Sequence, residues 1–222
     1  MNIRGKFVTL RQMSQGDMQM ICDMFNDPEL EDLVVGWAFP LSIEQQQQWF
    51  EKNLNDNRNF RFVIETPEDG AVGIATLTDI DWKNRRAAHG IKLANKERRT
   101  KGIGTDVVMA IMRYAFDELG LHRLDGSWFD TNTASKALYT QCGWRAEGVK
   151  REYVYKRGAW RDLTVVGVLE SDYRKLVEKN GYWRQSMNNP NCGDGGCIGG
   201  GCQIIDFQLF TYMYSNNHAL AA

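Results

Sequence analysis

The segment that most constrains the fold is RRTKGIG, residues 98–104. It follows a strand-like stretch, residues 87–94, and opens the longest helical pattern, in which apolar residues recur at helical spacing from Val107 to Phe116. Glycines let the backbone approach a ligand closely. A helix start offers unpaired N–H groups and the positive end of its dipole to an anion. The segment therefore predicts a phosphate-binding loop between a strand and a helix.

Two common phosphate motifs fit this segment badly. No Gly-Lys-Ser/Thr follows, as a Walker A loop requires. Val107 occupies the position of the third glycine of a dinucleotide fingerprint. A basic loop capped by glycines, without a ligand, is the alternative that the segment alone leaves open.

The rest of the chain predicts an α+β fold. A strand, two helices and three strands joined by short turns precede the loop, and helix, strand, helix, two strands and a final helix follow it. We expect the first helix to stop at Asp27-Pro28 and a loop to lead from there to Ser42. Short turns indicate an antiparallel meander, and the central helix adds one parallel crossover. About seven strands are predicted, at residues 7–11, 60–65, 72–82, 87–94, 124–129, 145–155 and 163–169.

Composition excludes several classes of partner. The 222 residues carry a net charge of −1, with 43% apolar and 25% charged residues, which is typical of a globular protein. Since no global field attracts polyanions, we expect neither a nucleic-acid nor a membrane partner. No signal peptide is evident, so the cytoplasm is the default location.

The last residues differ in composition from the rest. We expect a domain over residues 1–185 and a Gly/Cys-rich tail of unknown role over residues 186–222. Three tail cysteines with His218 resemble a zinc site only loosely, because paired Cys-x-x-Cys knuckles are missing, and we expect no metal. The apolar run at residues 204–214 leaves an edge strand or a homodimer contact open.

Two spaced motifs carry a resemblance to a known family. Arg99-x-x-Gly102-x-Gly104 and Asn132-x-x-Ser135-x-x-x-Tyr139 resemble the acetyl-CoA-binding signatures of the GNAT superfamily of N-acetyltransferases. The resemblance implies helices on both faces of a mixed sheet, with one parallel pair of strands splayed apart. Within the superfamily, the loop with Trp37, Phe39 and Pro40 is similar to that of the RimJ/RimL branch. The residues expected to bind acetyl-CoA are Leu93, Arg99, Thr100, Lys101, Gly102, Ile103, Gly104, Thr105, Asn132, Ser135 and Tyr139.

The resemblance also implies a chemistry. Backbone N–H groups around residues 91–93 would polarise the thioester carbonyl. Tyr139 would donate a proton to the departing thiolate, since free phenol and thiol have pKa values of about 10 and 8.5. His89 is a candidate base, Ser127 could order a water molecule, and a water chain without a base is the alternative. From the sequence itself, Asp79 and Asp81 share a face by the two-residue period of a strand and could bind a cationic amine.

The acceptor is the least constrained part. Glu31, in an acidic cluster with Glu29 and Asp32, would attract a cationic amine beside Trp37 and Phe39, although a solvated surface is the simpler interpretation. A protein or peptide N-terminal amine is the first hypothesis. The alternatives are a small amine (polyamine, amino sugar or antibiotic), an acyl-CoA-binding module without catalysis, and an unrelated phosphate-binding protein.

Overall fold

A single mixed sheet forms the centre of the structure, a computed structural model that describes residues 1–36, 39–94 and 102–184. Within these ranges the sheet has eight strands, in the order β1-β2-β3-β4-β5-β6-β8-β7. The strands are β1 (Ile3–Arg4), β2 (Thr9–Gln12), β3 (Phe60–Thr66), β4 (Gly70–Asp81), β5 (Arg86–Leu93), β6 (Arg123–Phe129), β7 (Arg145–Lys156) and β8 (Ala159–Leu169). The predicted α+β class is confirmed; the extra strand is the two-residue β1.

Six α-helices accompany these strands in the described part of the chain. They are α1 (Met18–Asn26), α2 (Pro28–Leu33), α3 (Ile43–Lys52), α4 (Ile103–Arg113), α5 (Thr133–Gln141) and α6 (Glu170–Asn180). A π-helical turn, Tyr114–Glu118, extends α4. Among the described residues, no helix is long and apolar enough to cross a membrane.

Helix α2 was not predicted. Asp27-Pro28 ends α1, as expected, but it also begins the next helix. The Asp27 carboxylate accepts a hydrogen bond from the amide of Glu29, and Pro28 stands in the first turn, where a missing N–H costs nothing. The same dipeptide is therefore both a stop and a start signal.

Helices cover both faces of the sheet. The larger apolar cluster joins α4 to one face, through residues such as Val107, Ile111 and Leu77. A second cluster, with Met18, Ile21 and Leu30, joins α1 and α2 to the opposite face. Burying both faces explains why β4 has a run of buried residues rather than strict alternation.

Strands β5 and β6 run parallel but separate early. Their register consists of three pairs, Arg86↔Arg123, Ala87↔Leu124 and Ala88↔Asp125. Beyond these pairs, β5 continues to Leu93 on β4, and β6 continues to Phe129 on β8. A gap therefore opens between the two strands, as the splayed pair was expected to do.

Asp106 connects the start of α4 to two distant segments. This fully buried carboxylate accepts hydrogen bonds from the amides of Lys6 (2.8 Å), Phe7 (2.7 Å) and Val8 (3.0 Å). It also accepts one from the Tyr182 hydroxyl at 3.0 Å. Four donors to one carboxylate satisfy a buried charge that would otherwise be costly.

We expect Asp106→Asn to lower the free energy of unfolding by about 3 kcal/mol or more, because an amide NH₂ would face backbone donors. Urea denaturation measures the change. Glu178→Gln, an exposed substitution on α6, is the control and should stay near the wild-type value. Equal stability of the two variants would contradict the role given to Asp106.

Candidate active site

The gap between β5 and β6 exposes backbone donors. The Ala94 amide donates to the Val72 carbonyl at 2.9 Å, so Ala94 directs its polar groups towards β4. Because these directions alternate along a strand, the amides of Ile91 and Leu93 point away from β4, into the gap. These are the donors that the sequence predicted for a thioester carbonyl.

A cavity of about 510 Å³ adjoins the gap. Its lining includes six of the residues expected to bind acetyl-CoA, which are Leu93, Gly102, Gly104, Thr105, Asn132 and Ser135. Ile103, the first residue of α4, is buried next to them. The cavity extends to Leu30 and Leu33 on α2 and to Val34 just after that helix, and thus reaches both sides of the gap.

The two glycines, Gly102 and Gly104, are required for different structural reasons. Gly102 precedes α4 with φ of 76°, a left-handed conformation that a side chain disfavours. Gly104 lies on the helix, and a Cβ there would stand 3.2 Å from Leu138 Cδ2. It therefore allows α4 and α5 to approach each other at the wall of the cavity.

The Asn132 side chain is already engaged. Its Oδ1 accepts from the Ser135 amide at 2.9 Å and caps α5, while its Nδ2 donates to the Leu33 carbonyl at 3.1 Å. The expected contact between Asn132 and the pantetheine arm is therefore competing with these two bonds. In this structure Asn132 positions α5 against α2.

Tyr139 belongs to an aromatic cluster beside the gap. Its ring centroid lies 4.8 Å from that of Trp144, 5.9 Å from that of His89 and 6.2 Å from that of Trp128. Tyr139 is 4% exposed, and burial raises its pKa well above the ordinary phenol value. The close match of phenol and thiol pKa values expected from sequence is therefore lost. A hydrogen bond to the sulfur fits this phenol better than complete proton donation.

His89 is poorly suited to be a general base. Its Nδ1 lies 3.0 Å from the Thr76 carbonyl, so Nδ1 carries the proton. Its Nε2 is buried without a hydrogen-bond partner in the described part of the chain, and so is Trp144 Nε1. Burial lowers the pKa of His89 to about 4. A base this weak takes little share of a proton from an ammonium ion, which corrects the expectation for His89.

The other face of the gap carries Ser127 and a lysine. Ser127 lies on β6 past the last β5–β6 pair, next to buried Trp128, which faces the aromatic cluster, so Ser127 faces the opposite side. Lys92 faces that side too, with its ammonium 4.3 Å from the Phe25 ring centroid. Burial, and then repulsion from Lys156, lower the pKa of Lys92 to about 8.

The acidic cluster is largely neutralised. Glu31 forms an ion pair with the buried Lys156, whose ammonium also donates to the Glu31 carbonyl. Asp32 pairs with Arg157 at 3.1 Å. A cationic acceptor would have to displace a lysine to reach Glu31, so the expected role of Glu31 as a free cation-binding group does not fit the structure.

Two further predicted residues, Asp79 and Phe39, border neither of the two cavities beside the gap. A register shift between Thr78 and Asp81 breaks the alternation of β4, and Asp79 has a positive φ of 53° there. Asp79 therefore lies at the paired end of β5 and β6, far along the strand from Leu93. This position does not support the expected role in substrate binding, which stays a prediction. Phe39 is 78% exposed.

Some of the predicted residues lie outside the described part of the chain. They are Trp37, Arg99, Thr100, Lys101 and the tail at residues 186–222.

Sequence reasoning missed the two lysines on the acceptor side. Lys92 alternates with apolar residues on β5 and reads as a solvent-facing position. Lys156 is the last residue of the largely exposed strand β7 and lies 125 positions from its partner Glu31. A charged residue in a strand buried on both faces is the one signal that could have identified Lys92.

Comparisons with known proteins agree with this geometry. Residues 8–145 match the acetyltransferase (GNAT) domain family, and the chain therefore belongs to the GNAT family. Spermidine N(1)-acetyltransferase of Vibrio cholerae is 26% identical over 171 residues, which cover 77% of this chain and 98% of that protein. The uncharacterized N-acetyltransferase YoaA of Bacillus subtilis is 30% identical over 168 residues, 72% of this chain and 92% of the relative.

A solved structure of a relative has the same fold and contains bound ligands. The crystal structure of spermidine N-acetyltransferase from Vibrio cholerae in complex with CoA and spermine superposes with a TM-score of 0.71 at 25% identity. The match covers 75% of this chain and 98% of that one. The protein is thus an N-acetyltransferase that uses acetyl-CoA as its co-substrate.

We expect folding stability to fall on acidification because of His89. The unfolded imidazole takes up a proton near pH 6.5, but the buried one does so only near pH 4. Below pH 6.5 the unfolded state therefore binds more protons, and about 2.5 kcal/mol of stability is lost by pH 4.5. Urea titrations from pH 7 to 4.5 measure this slope. His89→Leu should flatten it, whereas His122→Leu, at an exposed position, should not; identical slopes in both variants would refute the assignment.

We expect Gly104→Val to weaken acetyl-CoA binding by about tenfold, since overpacking typically costs about 1–3 kcal/mol and would push Leu138 into the cavity. The measurement is the rise in melting temperature with added acetyl-CoA. Gly148→Val is the control, because a Cβ at Gly148 meets its nearest atom, Val165 Cγ2, at 3.8 Å. The close packing at Gly104 is irrelevant to binding if both variants respond like wild type.

Proposed function

We propose that the protein transfers the acetyl group of acetyl-CoA to the primary amine of a small molecule. The observation that carries this proposal is the size of the space on the acceptor side of the gap. A cavity of about 130 Å³ lies there beneath α1 and α3, bordered by Gly90 and Lys92. Such a space suits a small group better than an extended peptide. The spermidine acetyltransferases among the relatives support the same class of acceptor.

In the proposed reaction the thioester lies in the gap. The amides of Ile91 and Leu93 donate to its carbonyl oxygen and stabilise the oxyanion that forms. The neutral amine attacks the carbonyl carbon, the new C–N bond forms and the C–S bond breaks. The amine nitrogen releases a proton as the amide forms, and the departing thiolate takes one up to become CoA.

Tyr139 would act on the sulfur. Its phenol, kept protonated by burial, donates a hydrogen bond to the departing thiolate and lowers the barrier to C–S cleavage. Because His89 is a weak base, the proton from the amine would leave through water, and Ser127 borders the gap on the acceptor side. Gly102, Gly104 and Thr105 would hold the CoA arm, together with Arg99, Thr100 and Lys101 of the loop.

Four finer assignments stay predictions. They are membership of the RimJ/RimL branch, the domain boundary at residue 185, the homodimer and the cytoplasmic location. An acceptor that is a protein N-terminus is the second hypothesis and becomes one arm of the experiment.

A panel of acceptors tests the proposal. Release of CoA is followed with a thiol reagent, and mass spectrometry identifies the acetylated product, for spermidine, amino acids, amino sugars and peptides. We expect a small amine to be acetylated faster than any peptide. A peptide preference would favour the second hypothesis, and binding of acetyl-CoA without turnover of any amine would indicate a non-catalytic module.

We expect Tyr139→Phe to lower kcat by about 100-fold, because the sulfur loses its hydrogen-bond donor. The rise in melting temperature with acetyl-CoA should persist, since Tyr139 does not line the large cavity. Steady-state kinetics with the best acceptor measures kcat. Tyr155→Phe, at a residue 61% exposed, is the control. Unchanged turnover in Tyr139→Phe would remove this residue from the mechanism.

A further inference from the structure

The small cavity on the acceptor side has an apolar wall and a cation at each end. Phe25 from α1, Trp49 from α3 and Ile74 from β4 form part of the wall. Lys92 borders the cavity from β5, next to the gap, and Arg61 borders it from β3, with β4 between the two strands. Lys92 also borders the large cavity that contains the acetyl-CoA residues, so it stands between the two spaces.

Lys92 lacks a counter-ion in the described structure. No carboxylate among the described residues lies within 4.0 Å of its ammonium, which instead packs on the Phe25 ring. The nearby carboxylate of Glu31 is occupied by Lys156. Burial without a counter-ion disfavours the charged form of this lysine, and an incoming anion would stabilise that form.

Arg61 is only partly satisfied. One of its terminal nitrogens donates to the Asn59 carbonyl at 3.1 Å and lies 3.4 Å from Asp56 Oδ2, while its guanidinium stacks 4.9 Å from the Trp49 ring centroid. The cavity therefore has a positive end at Lys92, a second cation at Arg61 and no free acid in its described lining.

We propose that this cavity binds an acceptor carrying a carboxylate, and that Lys92 forms the ion pair with it. The acceptor class is an amino acid with an apolar side chain. Lys92 lies between Ile91 and Leu93 on β5, whose amides face the gap, so a carboxylate held by Lys92 places the neighbouring α-amine at the thioester. The side chain would then extend along the wall towards Trp49. This proposal rests on the small-amine function proposed above.

The same charges disfavour a polyamine. A second ammonium group of spermidine would have to lie beside Lys92 or Arg61, and Glu31 could neutralise it only by losing Lys156. Like charges in such a partly desolvated space repel more strongly than in water. The acceptor of this chain therefore differs in charge from that of its spermidine relatives.

Matched pairs of acceptors test the proposal with the full-length enzyme. Leucine, methionine and phenylalanine are each compared with the corresponding amide, which lacks only the carboxylate charge, and spermidine is included. We expect the acid to exceed its amide in kcat/KM by about 30-fold in the wild type, as for loss of one partner of a buried charge pair. Lys92→Met should remove that preference, so that the acid-to-amide ratio of kcat/KM falls to about one. Lys175→Met, on the exposed side of α6, should change neither.

A second measurement does not depend on turnover. Brief reductive methylation followed by peptide mass spectrometry reports how accessible the Lys92 amine is. N-acetylleucine should slow the methylation of Lys92, N-acetylleucinamide should not, and Lys175 should respond to neither.

Different outcomes refute different statements. An amide preferred over its acid, a preference for spermidine, or an acid-to-amide ratio unchanged by Lys92→Met would overturn the carboxylate proposal and leave the small-amine function intact. If no amine is acetylated, the proposed function fails, and the methylation experiment then decides alone: absence of protection by N-acetylleucine overturns the carboxylate site.

Discussion

The early separation of β5 and β6 is the constraint on which the site depends. Three residue pairs hold the two strands together. Beyond them, the aromatic cluster around Tyr139 lies beside the gap. Its Trp144 ring packs on Gly126 of β6, where a Cβ would stand 3.1 Å from the ring. The separation leaves the Ile91 and Leu93 amides without strand partners among the residues that the structure describes. A sheet edge inside the protein would normally be a defect, because buried donors need partners. Here it provides donors for a carbonyl that arrives with the substrate.

The two faces of the gap have different chemistry. The α4–α5 face offers a glycine-lined cavity and a helix start, which suit a long anionic cofactor arm. The opposite face combines apolar side chains with Lys92 and the Glu31–Lys156 pair. Because β5 alternates its side chains, consecutive residues of one strand serve both faces, with Ile91 and Leu93 on one and Lys92 on the other. A single strand thus links the cofactor side to the acceptor side.

The sequence predicted the parts that depend on local pattern. The order of elements along the chain, helix α4 and the glycine that precedes it follow from periodicity and from Gly102. The lining of one cavity by Leu93, Asn132 and Ser135 agrees with the spaced motifs. The site predictions that the geometry does not support involve neighbours that are distant in sequence or a break in regular geometry. Glu31 could not be seen as neutralised because Lys156 is on another element, and Asp79 was misplaced by a bulge. His89 has a residue type suited to base catalysis, but burial, which depends on the whole fold, sets its pKa.

The Asp106 carboxylate makes the position of the cofactor helix depend on segments near both ends of the described chain. It lies in the first turn of α4, and its partners are the backbone at Lys6, Phe7 and Val8 and the hydroxyl of Tyr182. The helix start that faces the cofactor cavity is thus anchored at both ends of the domain. A chain that lacks residues 1–7, or one that ends before Tyr182, would keep every residue of the two cofactor motifs. It would nevertheless take hydrogen-bond donors away from a buried carboxylate in the first turn of the cofactor helix, so the minimal functional unit is longer than the motifs indicate.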